Sequence, residues 1–164
     1  MVSLRSAQQQ LRKRRNIVEE ALEDFVQEKM ASTQAPAMTL AREVLLAGGK
    51  RYRPVLTMLA FESAGGEEIS EVMDLALAAE LIHTATLVHD DIYDFSKTRR
   101  GKPTLHAFHG LAHGIIGGDY LFVLGFGLGG KYEAKIVEKM ADTCANIASG
   151  ELLQHEHIGN LATT

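Results

Sequence analysis

Asp90, Asp91 and Asp94 stand together at the end of a long apolar run, and Arg99-Arg100-Gly101-Lys102-Pro103-Thr104 follows directly. Carboxylates four residues apart share one helix face, so Asp90 and Asp94 can reach the same ion. Hard oxygen donors favour Mg²⁺, which keeps several waters and commonly shares its site with substrate phosphates. Three carboxylates at a helix C-terminus also oppose the helix dipole, a cost that makes sense if the charge is used. Arg99 and Arg100 offer guanidinium forks that match phosphate oxygens. The chemistry these types and spacings suit is gripping a diphosphate through a metal. The plain alternative is a solvated acidic helix end.

A second basic segment lies upstream in Gly48-Gly49-Lys50-Arg51-Tyr52-Arg53-Pro54. Pro54 suits the first turn of a helix, which places Lys50 to Arg53 at a helix N-terminus. The unpaired N–H groups there favour anions. A basic surface turn is the competing reading, and it is harder to sustain when two basic segments flank a triple aspartate.

In this order, the segments resemble those of the trans-isoprenyl diphosphate synthases, or polyprenyl synthetases. The resemblance implies that Lys50 and Arg53, in G-K-x-x-R-P, bind the diphosphate of isopentenyl diphosphate. Glu80 and His83 match E-x-x-H, with His83 a further ligand to that diphosphate. Asp90, Asp91 and Asp94 match the first aspartate-rich motif, which would hold Mg²⁺ on the allylic diphosphate, Asp90 and Asp94 being the metal ligands. Arg99 would contact the allylic diphosphate and Arg100 the isopentenyl one. Asp90, Asp91, Asp94 and Arg99 are thus the implied catalytic set. Gly118-Asp119-Tyr120-Leu121 and Gly150-Glu151-Leu152-Leu153-Gln154 match two further family segments. The implied fold is all-α, an isoprenoid-synthase-like helical bundle. The implied activity is Mg²⁺-dependent condensation of isopentenyl diphosphate with an allylic prenyl diphosphate. The growing tail would run past Ile82, Ala85 and Thr86, and the small Ala85 and Thr86 suggest a medium or long product.

The chain departs from the family in ending at Thr164, without the K-T lysine and the second aspartate motif. The resemblance therefore implies an N-terminal half whose second half comes from elsewhere: a longer parent protein, a second copy in a homo-oligomer, or a partner in a hetero-oligomer. Two other roles compete with catalysis. One is a non-catalytic partner subunit of a prenyl synthase; the other is a Mg²⁺-dependent protein that binds or hydrolyses diphosphates.

Composition is that of a folded chain. Of 164 residues, 46% are hydrophobic and 23% charged, which excludes a disordered polyelectrolyte and suits one domain over residues 1–164. A net charge of −4 argues against nucleic-acid binding. The Arg12-Lys13-Arg14-Arg15 cluster is followed by Glu19, Glu20, Glu23 and Asp24, so it reads as a charged helix face. The single Cys144 allows no internal disulfide and suits a reducing cytoplasm. The N-terminus has no apolar signal region. Ile115 to Gly130 is apolar but interrupted by Asp119, and reads as a core helix rather than a transmembrane segment.

The elements that would position these residues are helices. Leu11, Val18, Leu22 and Phe25 form a stripe on a first helix. A second runs from Pro36 to near Gly48, a third from Pro54 to Ala64, and a fourth from Glu68 to Phe95. After a break at Gly101 to Pro103, the pattern predicts helices over Thr104 to His113, Ile115 to Leu128 and Lys131 to His157, with no strand. His106, His109 and His113 would share a face of the fifth, a spacing that suits a transition metal only weakly because Gly110 interrupts it.

Overall fold

A computed structural model describes residues 4–159, and it is helical nearly throughout. The chain divides into two compact units, the first ending at Leu128 and the second beginning at Gly129. The first unit contains α1 (Leu4–Ser32), α2 (Pro36–Leu45), α3 (Tyr52–Ser63), α4 (Ser70–Tyr93), a small hairpin of β1 (Thr98–Arg99) and β2 (Lys102–Pro103), α5 (Leu105–His109) and α6 (Leu111–Gly129). The second contains α7 (Ala134–Glu156), which buries none of its residues.

α4 is the core helix. Val72, Ala76, Leu77, Leu81, Ala85 and Val88 are buried along it, and α4 packs against α1, α2 and α3, where Val18, Leu22, Met38, Leu45 and Met58 are buried too. Each such large apolar side chain contributes about 1.5–3 kcal/mol when fully buried. The expected stripe on α1 holds from Val18 to Phe25, continuing to Val26, but Leu11 is 44% exposed. α4 and α6 are each long and apolar enough to cross a membrane by length and composition alone. In α4 that apolar character is spent on the core.

The loops differ from expectation in two places. Thr98↔Pro103 and Arg99↔Lys102 pair as an antiparallel ladder, where no strand was expected. The turn residues Arg100 and Gly101 both have positive φ, 53° and 78°, the pattern of a type I′ hairpin. Two-residue strands are too short to show alternation in sequence. The second difference is at Gly110, whose φ of 95° ends α5 at His109. His106 and His109 therefore lie on one helix and His113 on the next, so the three share no helix face. His106 Nδ1 lies 3.2 Å from the Thr104 hydroxyl, and His109 pairs with Glu43 at 2.9 Å.

Candidate functional site

The C-terminal end of α4 sorts its three aspartates. The Asp94 N–H donates to the Asp90 carbonyl at 2.7 Å, so helical geometry persists through Asp94 and the two residues share a face. Asp91 sits about 100° further round. It is 5% exposed and accepts three charge-assisted contacts from Arg99: Nε at 2.9 Å to each oxygen, and Nη2 at 2.9 Å to Oδ1. The bond to Asp91 raises the Arg99 pKa, more strongly than partial burial lowers it. Further bonds tie the hairpin down. The Ser96 N–H donates to the Asp91 carbonyl at 2.9 Å, and the Thr104 hydroxyl to the Ser96 carbonyl at 2.8 Å.

The upstream basic loop is held from beneath by Arg51, to which the sequence assigned no separate role. Arg51 is in the left-handed region at φ 53° and only 2% exposed. Its Nη1 donates to Glu80 at 2.7 Å, Nη2 to the Leu45 carbonyl at 2.6 Å, and Nε and Nη2 to Glu19 at 3.2 and 3.1 Å. Its pKa is raised: burial alone would lower it, and the bonds to Glu19 and Glu80 outweigh that. One guanidinium thus ties together α1, the end of α2 and the middle of α4. The available sequence signal was Glu80, a carboxylate inside an otherwise apolar core run, which needs a buried partner.

With Arg51 turned inward, Arg53 and Lys50 remain exposed. The Arg100 guanidinium reaches back from the hairpin to Gly49, lying 3.1 Å from where a Cβ would stand, so a side chain at Gly49 would crowd it. His83, half-buried on α4, has its pKa lowered, first by burial and then by Arg53, Arg100 and Arg99, with Glu80 opposing. Cations from α3 and the hairpin therefore act on one imidazole of α4. Lys50 is less committed: its ammonium lies 5.6 Å from the Tyr52 ring centroid.

The residues expected along the product tail are divided by the fold. Ala85 is wholly buried in the core and borders no open space. Ile82 faces α6, where a side chain at Gly125 would strike it. Thr86 is half-buried, its hydroxyl donating to the His83 carbonyl at 2.8 Å. Gly118 similarly leaves room for the His89 ring, which lies 3.5 Å from Asp119. His89 is thus a packing residue of the α4–α6 contact.

Among the described residues, no group of three or more His, Cys, Asp or Glu is arranged to hold a metal ion. Asp91 faces Arg99, whereas Asp90 and Asp94 share the adjacent face of α4. Two carboxylates suit Mg²⁺, which takes its remaining ligands from water and phosphate.

A family model described as Polyprenyl synthetase matches residues 9–164. The all-trans-nonaprenyl-diphosphate synthase (geranyl-diphosphate specific) of Rhodobacter capsulatus is 38% identical over 136 residues, covering 82% of this chain and 42% of that protein. The geranylgeranyl pyrophosphate synthase of Geoglobus acetivorans is 35% identical over 149 residues, covering 87% of this chain and 46% of that protein. The chain thus spans less than half the length of these relatives. A crystal structure of a polyprenyl synthase from Caulobacter crescentus CB15, complexed with calcium and isoprenyl diphosphate, superposes with a TM-score of 0.84 at 34% identity, over 95% of this chain and 48% of that one. The Geoglobus enzyme's structure gives a TM-score of 0.83 at 33% identity, over 93% and 51%.

Proposed function

Because this chain belongs to the polyprenyl synthetase family, we propose that it supplies the diphosphate-handling wall of a trans-prenyltransferase that joins isopentenyl diphosphate to an allylic prenyl diphosphate. The observation that carries this reading is that Arg53 of α3 and Arg99 and Arg100 of the hairpin act on His83, two turns before Asp90 on α4, while Asp90 and Asp94 act on Arg99. Basic and acidic groups from separate segments meet there, as two bound diphosphates and a divalent cation require.

In this reading Lys50, Arg53, His83 and Arg100 hold isopentenyl diphosphate so that its double bond faces the allylic carbon. Asp90 and Asp94 would hold Mg²⁺, which when bound neutralises charge developing on the departing diphosphate. The calcium named with the Caulobacter relative supports a divalent ion in this family fold. Arg99, oriented by Asp91, contacts the allylic diphosphate. Asp91 acts as a positioning residue. Ile82 and Thr86 would border the start of the tail path. No side-chain nucleophile is needed, because ionisation of the allylic substrate supplies the electrophile, and water must be excluded from it.

The relatives extend beyond the part matched here, so we place the second wall of the pocket on polypeptide outside the matched segment, whether a continuation of the same protein, a second copy or a different chain. Leu111, Ile115, Ile116 and Val123 are exposed on α6 and would suit such a contact. The test is a product assay with isopentenyl diphosphate, an allylic primer and Mg²⁺, together with calorimetry of each diphosphate on the chain. Mg²⁺-dependent binding of the allylic diphosphate is expected. Equal affinity in EDTA would overturn the metal assignment, and hydrolysis of the primer without coupling would favour a diphosphatase.

A further inference from the structure

A cavity of about 270 Å³ lies between the end of α2, the middle of α4, the hairpin and α5. It opens on a different stripe of α4 from the candidate site. Thr84, Leu87, Val88 and Asp91 line it at helical spacing, whereas His83, Asp90 and Asp94 define the neighbouring stripe. Its body is apolar, with Val44, Leu87, Val88 and Phe108 among the walls. Phe108 is 72% exposed yet held edge-on against His109, with ring centroids 4.7 Å apart.

The charges around this cavity are unbalanced. Asp91 is satisfied by Arg99 and Glu43 by His109. Arg100 and Lys102 also line the cavity and form no ion pair among the described residues. Among its lining residues, three cations face two carboxylates, leaving one net positive charge. Apolar walls hold water poorly, and an apolar group placed there would gain dispersion contacts that an empty space lacks.

We propose that this cavity binds a small amphipathic monoanion, a carboxylate with a short apolar body, seated among Val44, Leu87, Val88 and Phe108 with its head toward Lys102. The single charge follows from the net charge of the lining. The short body follows from the volume, which falls just under the range typical of drug-sized ligands. A long prenyl chain is excluded on the same ground.

Octanoate is the probe, titrated into the chain by calorimetry and by amide chemical shifts, with octylamine as the charge-reversed control. Octanoate should saturate one site, shifting amides of Ala47, Leu87 and Phe108, and octylamine should bind at least roughly tenfold more weakly, a difference of about 1.4 kcal/mol. Ala47→Phe, which fills the cavity from the end of α2, should abolish octanoate binding. Lys102→Ala, at an exposed position, should weaken it several-fold while helicity stays unchanged. The proposal is overturned if millimolar octanoate shows no saturable binding, if octylamine binds equally well, or if Lys102→Ala and a folded Ala47→Phe both bind octanoate like the parent.

Discussion

The Arg99 guanidinium closes edge-on over the Asp91 carboxylate, with Nε 2.9 Å from both oxygens and Nη2 2.9 Å from one. That contact divides three neighbouring aspartates into two roles. Asp91 fastens the hairpin to α4, and Asp90 with Asp94 occupies the adjacent face. The hairpin carries Arg100 as well, so the Asp91–Arg99 pair also places a cation beside His83.

Asp91→Ala should destabilise the chain by about 1.5–3 kcal/mol, the scale of hydrogen bonds to a charged group. Asp94→Ala, at an exposed position, should stay within about 0.5 kcal/mol of the parent. Urea midpoints measure both. Equal losses in the two variants would show that Asp91 is no anchor.

Arg51→Met should cost more, about 3–5 kcal/mol, because it strands Glu80 in the core without its cation. Arg51→Lys should recover only part, since an ammonium cannot reproduce the fork that reaches Glu19, Glu80 and the Leu45 carbonyl together. Thermal unfolding of the two variants beside the parent checks the order.

Arg53→Ala and Lys50→Ala should each weaken isopentenyl diphosphate binding by roughly 1.5–3 kcal/mol. The allylic diphosphate should be little affected. Calorimetry with each ligand separately decides the matter, and parallel losses would mean that the two anion sites are one.

His83 supplies a pH dependence. Its folded-state pKa lies below the ordinary 6.5, so the unfolded chain binds a proton more readily than the folded one. This group therefore costs stability as pH falls below about 6.5 toward its folded value. A diphosphate bound beside Arg53 and Arg100 offsets their charge and raises His83 again. Binding should then take up a proton near and below pH 6.5, read as a buffer-dependent enthalpy. His83→Gln should remove that part while the ligand's own titration remains.

An Asp90→Asn, Asp94→Asn double substitution should abolish the Mg²⁺ dependence of allylic diphosphate binding and leave Mg²⁺-independent isopentenyl diphosphate binding intact. Titrations with and without EDTA on parent and variant show it. A variant that still requires Mg²⁺ would place the ion elsewhere.

Local patterns carried much of this in the sequence itself. The apolar spacing of α1 and α4, Pro36 at the start of α2, and the glycines that end α2 and α3 are dictated by neighbours within a few residues. The same holds for the shared face of Asp90 and Asp94, because helical periodicity alone sets it. Family resemblance further singled out Lys50, Arg53, His83, Arg99 and Arg100. Tertiary structure decided what those side chains touch. Arg51 and Arg53 stand two residues apart, yet one is buried among Glu19, Glu80 and the Leu45 carbonyl while the other stays exposed. Asp90 and Asp91 are adjacent, yet Asp91 is buried against Arg99 while Asp90 is half-buried on the next face. Arg100 reaches Gly49 across about fifty residues of chain. These outcomes depend on which helices pack together and on a turn whose residues adopt positive φ. A buried charge must find its partner wherever the fold brings one, and no local spacing encodes that distance.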